Sequence, residues 1–185
     1  MSGDVGIGVS AELVLVRPSL EVREEIEAVR AELLAESPHI MGASRLGDFA
    51  DPADWIARCE AQTDPATVPD DWVRTDQYLL MEDGGGRILG LVSVRHTLGT
   101  PFLSELGGHI GYSVRPSERN RGYGRAQLML ALERCREIGL DKVLLVCDAT
   151  NEASRRTIIS CGGVYERDGV DSSRGVTVQR YWISL

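Results

Sequence analysis

Residues 106–147 constrain the fold more than any other part of the chain. The apolar residues at 106–114 are typical of a strand, a turn rich in Arg and Gly follows, and 122–138 carries apolar residues at helical spacing. Gly139 is a natural end for that helix. The nearly continuous apolar run at 142–147 is typical of a strand buried on both faces. A strand, a helix and a second strand in this order predict an α/β domain.

The remaining segments extend this mixed pattern. We predict further strands at 11–17, 78–82, 88–96, 164–167 and 176–183, and further helices at 19–35, 51–61 and 151–160. The segments at 37–51 and 168–175 have no regular pattern and are predicted to be a loop and a turn. We expect one domain over residues 11–185, preceded by a loose Gly-rich leader at 1–10.

Composition and charge exclude several classes of protein. The chain of 185 residues is 43% hydrophobic and 26% charged, which is ordinary for a globular protein. No apolar run approaches the roughly 20 residues that span a bilayer, so we expect no membrane partner. The net charge of −8 disfavours nucleic acid as the main partner and is compatible with a cationic amine.

The four cysteines, at 59, 135, 147 and 161, indicate the compartment. They form no Cys-x-x-Cys pair and have no matching His spacing, which argues against a zinc site and against a disulfide framework. Free thiols of this kind usually pack as small apolar groups in a reducing compartment. We therefore expect no metal and a cytoplasmic location.

The turn before the long helix has the chemistry of an anion site. At a helix start several backbone N–H groups lack partners and the helix dipole is positive, which suits a pyrophosphate. Glycines at 122 and 124 let the backbone approach a ligand, and arginines at 119, 121 and 125 add positive charge. A Walker loop and a dinucleotide fingerprint do not match. A solvated basic helix cap is the alternative interpretation.

The same residues resemble a known family. The run at 119–124, RNRGYG, is similar to the Arg/Gln-x-x-Gly-x-Gly/Ala signature of the GCN5-related N-acetyltransferases, the GNAT superfamily. The order of strands and helices is similar over about residues 11–185. A closer likeness, to a bacterial group of uncharacterised predicted acetyltransferases, rests on Arg95, His96, the run 108–116, Asn151, Ser154, Gly162, Gly163 and the ending 180–183.

The resemblance implies a fold and a cosubstrate. The fold would be a mixed α/β single domain, with a central, mostly antiparallel sheet of about seven strands, the fourth and fifth splayed apart, and about four helices. The cosubstrate would be acetyl-CoA, with its thioester between the splayed strands. Its pantetheine arm would lie along the backbone of Ser113 and Val114, with Asn151 and Ser154 facing the far end. The pyrophosphate would be held by the amides of Arg119, Asn120, Arg121, Gly122, Tyr123, Gly124 and Arg125.

The resemblance also implies direct attack of an amine on the thioester, which a general base would assist. His109 is the first candidate, because it lies five residues before Val114 and is mostly neutral at pH 7. His96, beside Arg95, is the second candidate, and Glu105 is another. A structural histidine between two glycines is the alternative for His109, and His96 could equally orient the site.

The general acid is harder to place. Many relatives carry a Tyr seven residues after the Asn, where this chain has Ile158, which has no proton to donate. Tyr165, Cys161 and Ser160 are substitutes that could equally be structural, and a thiolate is a good enough leaving group to need no acid.

The leading hypothesis is transfer of acetyl to the primary amine of a small molecule. The alternatives are acetylation of a protein N-terminus or lysine, and a non-catalytic module that senses acetyl-CoA. The acceptor pocket would be built from residues 37–71 and the turn at 168–175. A homodimer is left open, since the C-terminal strands of this fold often meet a partner.

Overall fold

The computed structural model describes residues 12–69 and 72–185, so the predicted leader at 1–10 lies outside the described residues. Within them the chain forms seven strands and four α-helices. In chain order these are β1 (Leu13–Val16), α1 (Arg23–Glu36), α2 (Pro52–Ala61), β2 (Thr75–Glu82), β3 (Gly90–Arg95), β4 (Ile110–Val114), α3 (Tyr123–Glu137), β5 (Lys142–Asp148), α4 (Glu152–Ser160), β6 (Val164–Asp171) and β7 (Val176–Ser184).

The strands form two antiparallel sheets. One has the order β1-β2-β3-β4 and the other the order β5-β7-β6. The predicted mixed α/β fold is confirmed, and the division into two sheets falls between β4 and β5, the strands that were expected to splay.

Helix α3 packs on one face of both sheets. Its buried residues Leu128, Leu132 and Cys135 recur at helical spacing and belong to a core that includes Val92 of β3 and Val143 of β5. Helices α1 and α2 cover the opposite face of the four-stranded sheet with a second core. Alternation along the strands decides which side chains enter which core. The α3 core therefore joins the two sheets where backbone pairing does not.

Strands β4 and β5 meet at one point. The N–H of His109 donates to the carbonyl of Leu144 at 2.7 Å, and the N–H of Leu144 donates to Nδ1 of His109 at 2.9 Å. Gly108 lies against the same carbonyl, with φ 68° and ψ −176°, a conformation almost reserved for glycine. A Cβ there would lie 2.5 Å from the Leu144 oxygen. No strand pairing between β4 and β5 is present in the described chain beyond this point, so the strands diverge from it.

The prediction of a strand from residue 106 was wrong for residues 106–109. Leu103–Gly107 forms a π-helical turn, closed by a hydrogen bond from Gly108 N–H to Leu103 carbonyl at 2.8 Å, and β4 begins at Ile110. The side chain of Arg95 donates from Nη1 to the carbonyls of Gly107 and Gly108 at 3.2 and 3.1 Å. These contacts from a distant strand hold the turn, which is why the local apolar pattern does not reveal it.

Burial of His109 makes the stability of the fold depend on pH. Burial, with a smaller effect of Arg95, lowers the pKa of His109 from 6.5 to about 4. Between those values the unfolded chain binds a proton that the folded chain excludes, so stability falls as the pH falls. We expect His109→Asn, whose side-chain oxygen can accept from Leu144 N–H, to lose about 1–2 kcal/mol less than the wild type between pH 7 and pH 4.5.

Urea denaturation of both proteins across this pH range measures the difference. Parallel loss of stability in the two proteins would show that the ring of His109 is not held neutral in the fold.

Candidate active site

The gap between β4 and β5 opens into a cavity of about 690 Å³. Its walls come from the two strands, from the loop at 38–48, from the segment at 100–107 and from the start of α4. The loop is held down on β4, where Ser113 Oγ donates to the carbonyl of Met41 at 2.6 Å. Gly42, with φ 67°, approaches the backbone of Gly111 so closely that a Cβ would lie 2.3 Å from its oxygen. The loop therefore covers the divergent strands as a fixed wall.

The turn that follows β4 has the free backbone groups of an anion site. Gly122 precedes α3 with φ 85°, and no side chain caps the first N–H groups of that helix. Asn120 is also left-handed, with φ 64°, and a Cβ at Gly122 would meet nothing within 4 Å. Consecutive N–H groups on an open turn at the positive end of a 15-residue helix can hold a phosphate.

The three arginines of this turn differ in their surroundings. Arg119 pairs with Glu36 at 2.6 Å and Arg121 pairs with Glu118 at 2.9 Å. Arg125 forms no ion pair with any residue in the described chain. The pair of Arg119 with Glu36 is exposed and contributes only about 0–1 kcal/mol, so a phosphate can replace that carboxylate at little cost. Glu118 is buried and also pairs with Arg87. The positive field at the turn thus comes first from the backbone and from Arg125.

A buried arginine fixes this turn to α1. Arg115 donates to Glu32 at 2.7 Å and to Glu25 at 2.6 Å, and the Ser117 N–H donates to the other oxygen of Glu32 at 3.1 Å. Burial lowers the pKa of Arg115, but its hydrogen bonds and charge pairing with these carboxylates outweigh that effect and raise it overall. The charge stays in place and anchors the end of β4.

The predicted cofactor residues of α4 lie at the cavity. Asn151 Oδ1 accepts from the N–H of Ser154 at 3.0 Å and caps the helix, and both residues line the cavity. Ser113, Val114 and the turn at 119–125 continue from the cavity along β4 instead of lining it. The structure thus aligns the predicted cofactor residues on one path, from the cavity to the start of α3.

The three predicted catalytic side chains lie outside the cavity wall. Nδ1 of His109 accepts from Leu144 N–H, so the neutral ring carries its proton on Nε2 and has no free lone pair. His96 Nε2 lies 2.9 Å from a carboxylate oxygen of buried Asp76. Tyr165 is about half exposed and donates to Asp168 at 3.0 Å. This geometry gives His109 the structural role that was its alternative, and catalysis by any of the three stays a prediction.

Tyr112, which lines the cavity, was not among the residues predicted from the sequence. Its hydroxyl lies 3.0 Å from Ser154 Oγ, so it bridges β4 to the start of α4. Burial raises its pKa to about 12, which keeps the hydroxyl protonated. The available signal was alternation along β4, which places Tyr112 on the same face as Ile110.

The described residues contain neither a metal-binding cluster nor a membrane-spanning helix. No group of three or more His, Cys, Asp or Glu residues in the described ranges is arranged to hold a metal ion. Across the same ranges, no helix is both long and apolar enough to cross a membrane.

Comparison with known proteins gives a family and a set of similar folds. The model of the acetyltransferase (GNAT) domain matches residues 13–164. No curated protein matches the chain in sequence. The structure is similar to that of yncA from Salmonella typhimurium, classed as an acetyltransferase and solved with its cofactor acetyl-CoA, with TM-score 0.63, 16% identity and 94% of each chain covered.

Two further structures show the same fold. One is classed as a ribosomal-protein-serine acetyltransferase from Vibrio cholerae, with TM-score 0.67, 14% identity and 96% of each chain covered. The other is the microcin C7 self-immunity acetyltransferase MccE in complex with acetyl-CoA and AMP, with TM-score 0.66, 15% identity and coverage of 94% of this chain and 93% of that one. The family match spans most of the chain, and the chain belongs to the GNAT acetyltransferase family.

Proposed function

We propose that this protein transfers an acetyl group from acetyl-CoA to the primary amine of a small molecule by direct attack on the thioester. One observation carries the proposal: the cavity and the anion-accepting turn lie at the two ends of a single strand, β4. An extended cofactor with a reactive end and a phosphate end fits that arrangement.

The dimensions and donor groups of the site suit acetyl-CoA. The cavity is within the usual size range of small-molecule sites, roughly 300–1,000 Å³. The edge of β4 that faces β5 can pair with the amides of a pantetheine arm as with an added strand. The phosphates then meet the N–H groups at the start of α3 and the side chain of Arg125. Two structures of similar fold, yncA and MccE, hold acetyl-CoA, which supports this fit.

The chemistry needs a neutral amine, and the cavity has to favour that form. An alkyl amine with a pKa near 10.4 costs roughly 4–5 kcal/mol to deprotonate at pH 7. The apolar walls, which include Phe102, Leu103 and Leu106, lower that cost by disfavouring the ammonium ion. Water that enters the cavity can take the proton, and the exposed residue His39 is part of the lining. Acetyl-CoA supplies the thioester carbonyl that the amine attacks.

Tyr112 is the group that we assign to the leaving sulfur. Its hydroxyl lies beside Ser154 and is protonated at neutral pH, as that of an ordinary tyrosine is, and burial raises its pKa further, to about 12. A proton donated at that point would neutralise the departing thiolate. Tyr112 would thus supply what Ile158, fully buried on α4, has no group to supply.

The substrate class is tested by free thiol released from acetyl-CoA. We expect release with small primary amines and little release with peptides that offer an N-terminus or a lysine. Release with peptides alone would replace the proposal by protein acetylation. No release with any amine, while acetyl-CoA still raises the melting temperature, would favour the sensor.

The phosphate site is tested by reversing one charge. Arg125→Glu should weaken acetyl-CoA binding by roughly tenfold or more, because it places a negative charge beside the phosphates. Arg136→Glu is the matched control, since it makes the same charge change in the last turn of α3, where Arg136 pairs with Glu133. Binding is measured by isothermal titration. Equal weakening in both variants would indicate a general charge effect and no phosphate site at the turn.

The proton donor is tested by removing two hydroxyl groups in turn. Tyr112→Phe should lower kcat by about 10- to 100-fold and leave acetyl-CoA affinity unchanged, since only the donated proton is lost. Tyr165→Phe should leave kcat unchanged, because that hydroxyl lies outside the cavity on Asp168. Steady-state kinetics with the best amine of the panel compares them. The reverse pattern would assign the acid to Tyr165.

A further inference from the structure

The charged groups on the cavity wall are unevenly paired. Two carboxylates of the described chain line the cavity, and each has its own arginine: Asp48 accepts from Arg45 Nε at 2.6 Å, and Asp148 accepts from Arg174 Nη2 at 2.8 Å. Within the described ranges, no cavity-lining carboxylate is left over to hold an ammonium group. An ammonium group of a polyamine would have to compete with these arginines for either carboxylate.

Arg95 is the exception among the cations of the wall. No carboxylate in the described part of the chain lies within 4 Å of its guanidinium, although Arg95 is one of the residues that line the cavity. Its Nη1 donates to the neutral carbonyls of Gly107 and Gly108, which fix the plane of the group. Burial lowers its pKa to about 10, so the group is still cationic at neutral pH. A desolvated cation with only neutral partners favours the binding of an anion.

That anion is not the phosphate end of the cofactor. The backbone N–H of Arg95 donates to the carbonyl of His109 at 2.8 Å, which places Arg95 at the start of β4. The phosphate turn follows Val114 at the other end. Five residues of extended strand separate His109 from Val114 by roughly 16 Å. Arg95 thus belongs to the acceptor end of the cavity.

We propose that Arg95 binds an anionic group, a carboxylate or phosphonate, on the acceptor, so that the preferred acceptor is a small amino acid and not a polyamine or a peptide. This inference rests on the proposed function and names its substrate class. The planar guanidinium keeps Nε and Nη2 for a paired contact with two oxygens. The apolar side chains of Val73, Phe102 and Leu103 on the same wall strengthen that contact by excluding water.

The anionic group of the acceptor takes no part in bond making or bond breaking, and the reaction balances without it. The nitrogen lone pair of the amino acid forms the new C–N bond as the C–S bond breaks, and the electrons of that bond leave on sulfur. Of the two protons that the ammonium group loses, one ends on the CoA thiol and the other passes to solvent. Arg95 is accordingly a binding residue, and its loss should appear mainly in KM.

Matched pairs of acceptors test the proposal. The panel contains small, aliphatic and aromatic amino acids, each beside its own carboxamide, which lacks the negative charge and resembles a peptide N-terminus. Rates are compared per concentration of neutral amine, because the carboxamide also has a lower amine pKa. We expect the wild-type protein to favour each accepted acid by tenfold or more in kcat/KM. Arg95→Gln should lower kcat/KM for the acids by about 10- to 100-fold, through KM, and change the carboxamides by less than threefold. Arg95→Lys should restore part of the preference for the acids.

Arg136→Gln, on the exposed face of α3, is the control that removes one positive charge elsewhere. Carboxamides accepted as well as the acids by the wild-type protein would overturn the proposal. Equal loss for acids and carboxamides in Arg95→Gln would also overturn it, because that result indicates that Arg95 only supports the turn at Gly107 and Gly108.

Failure of the proposed function is distinguishable from failure of this inference. If no member of the panel releases CoA thiol, the same pairs are added to the protein with CoA and the melting temperature is measured. Stabilisation by the acids alone, lost in Arg95→Gln, supports an anion site at Arg95 even without turnover. Equal effects of acids and carboxamides would overturn it.

Discussion

The site depends on two hydrogen bonds between His109 and Leu144, which hold β4 and β5 together at one end only. Beyond these two hydrogen bonds, β4 and β5 carry backbone N–H and C=O groups on facing edges. In the described chain no strand pairing joins these edges. Unpaired backbone groups away from water are costly, so such an edge favours a ligand that completes the pairing. The cavity is therefore an interrupted sheet, and its affinity for an extended ligand follows from the interruption.

Because backbone pairing does not join the two sheets, other contacts must hold them together, and α3 provides these contacts. Its buried face contacts residues of both sheets, so one helix fixes the width of the gap and presents its own N-terminus to the ligand. The same element thus joins the two sheets and carries the proposed phosphate site. Arg115, held by Glu25 and Glu32, adds a second fixed point at the far end of β4. Between Leu144 and Arg115 the strand cannot shift along the gap.

The sequence predicted those parts of the structure whose causes are local. Helix α2 begins at Pro52 behind the cap Asp51 as expected, and α3 ends one residue before the predicted limit, because turn and cap chemistry acts within a few residues. The turn at 103–107 was missed because Arg95 holds it from another strand. The sequence pattern also could not predict the hydrogen bonding of the His109 ring, because that depends on which ring nitrogen accepts from the N–H of Leu144. Partners that are distant in sequence decide both.

The arginines at the two ends of β4 differ in how they are paired. At the phosphate end, Arg119 has the exposed partner Glu36, where water and salt screen the charges in the free protein, and Arg121 pairs with the buried Glu118. A phosphate there exchanges one anion for another, so much of its binding must come from the backbone of the turn. At Arg95 the partners are the neutral carbonyls of Gly107 and Gly108, so an anion that binds there displaces no carboxylate from them. A partner that brings a full negative charge gains more at that end, which supports the proposed placement of the acceptor's anion at Arg95.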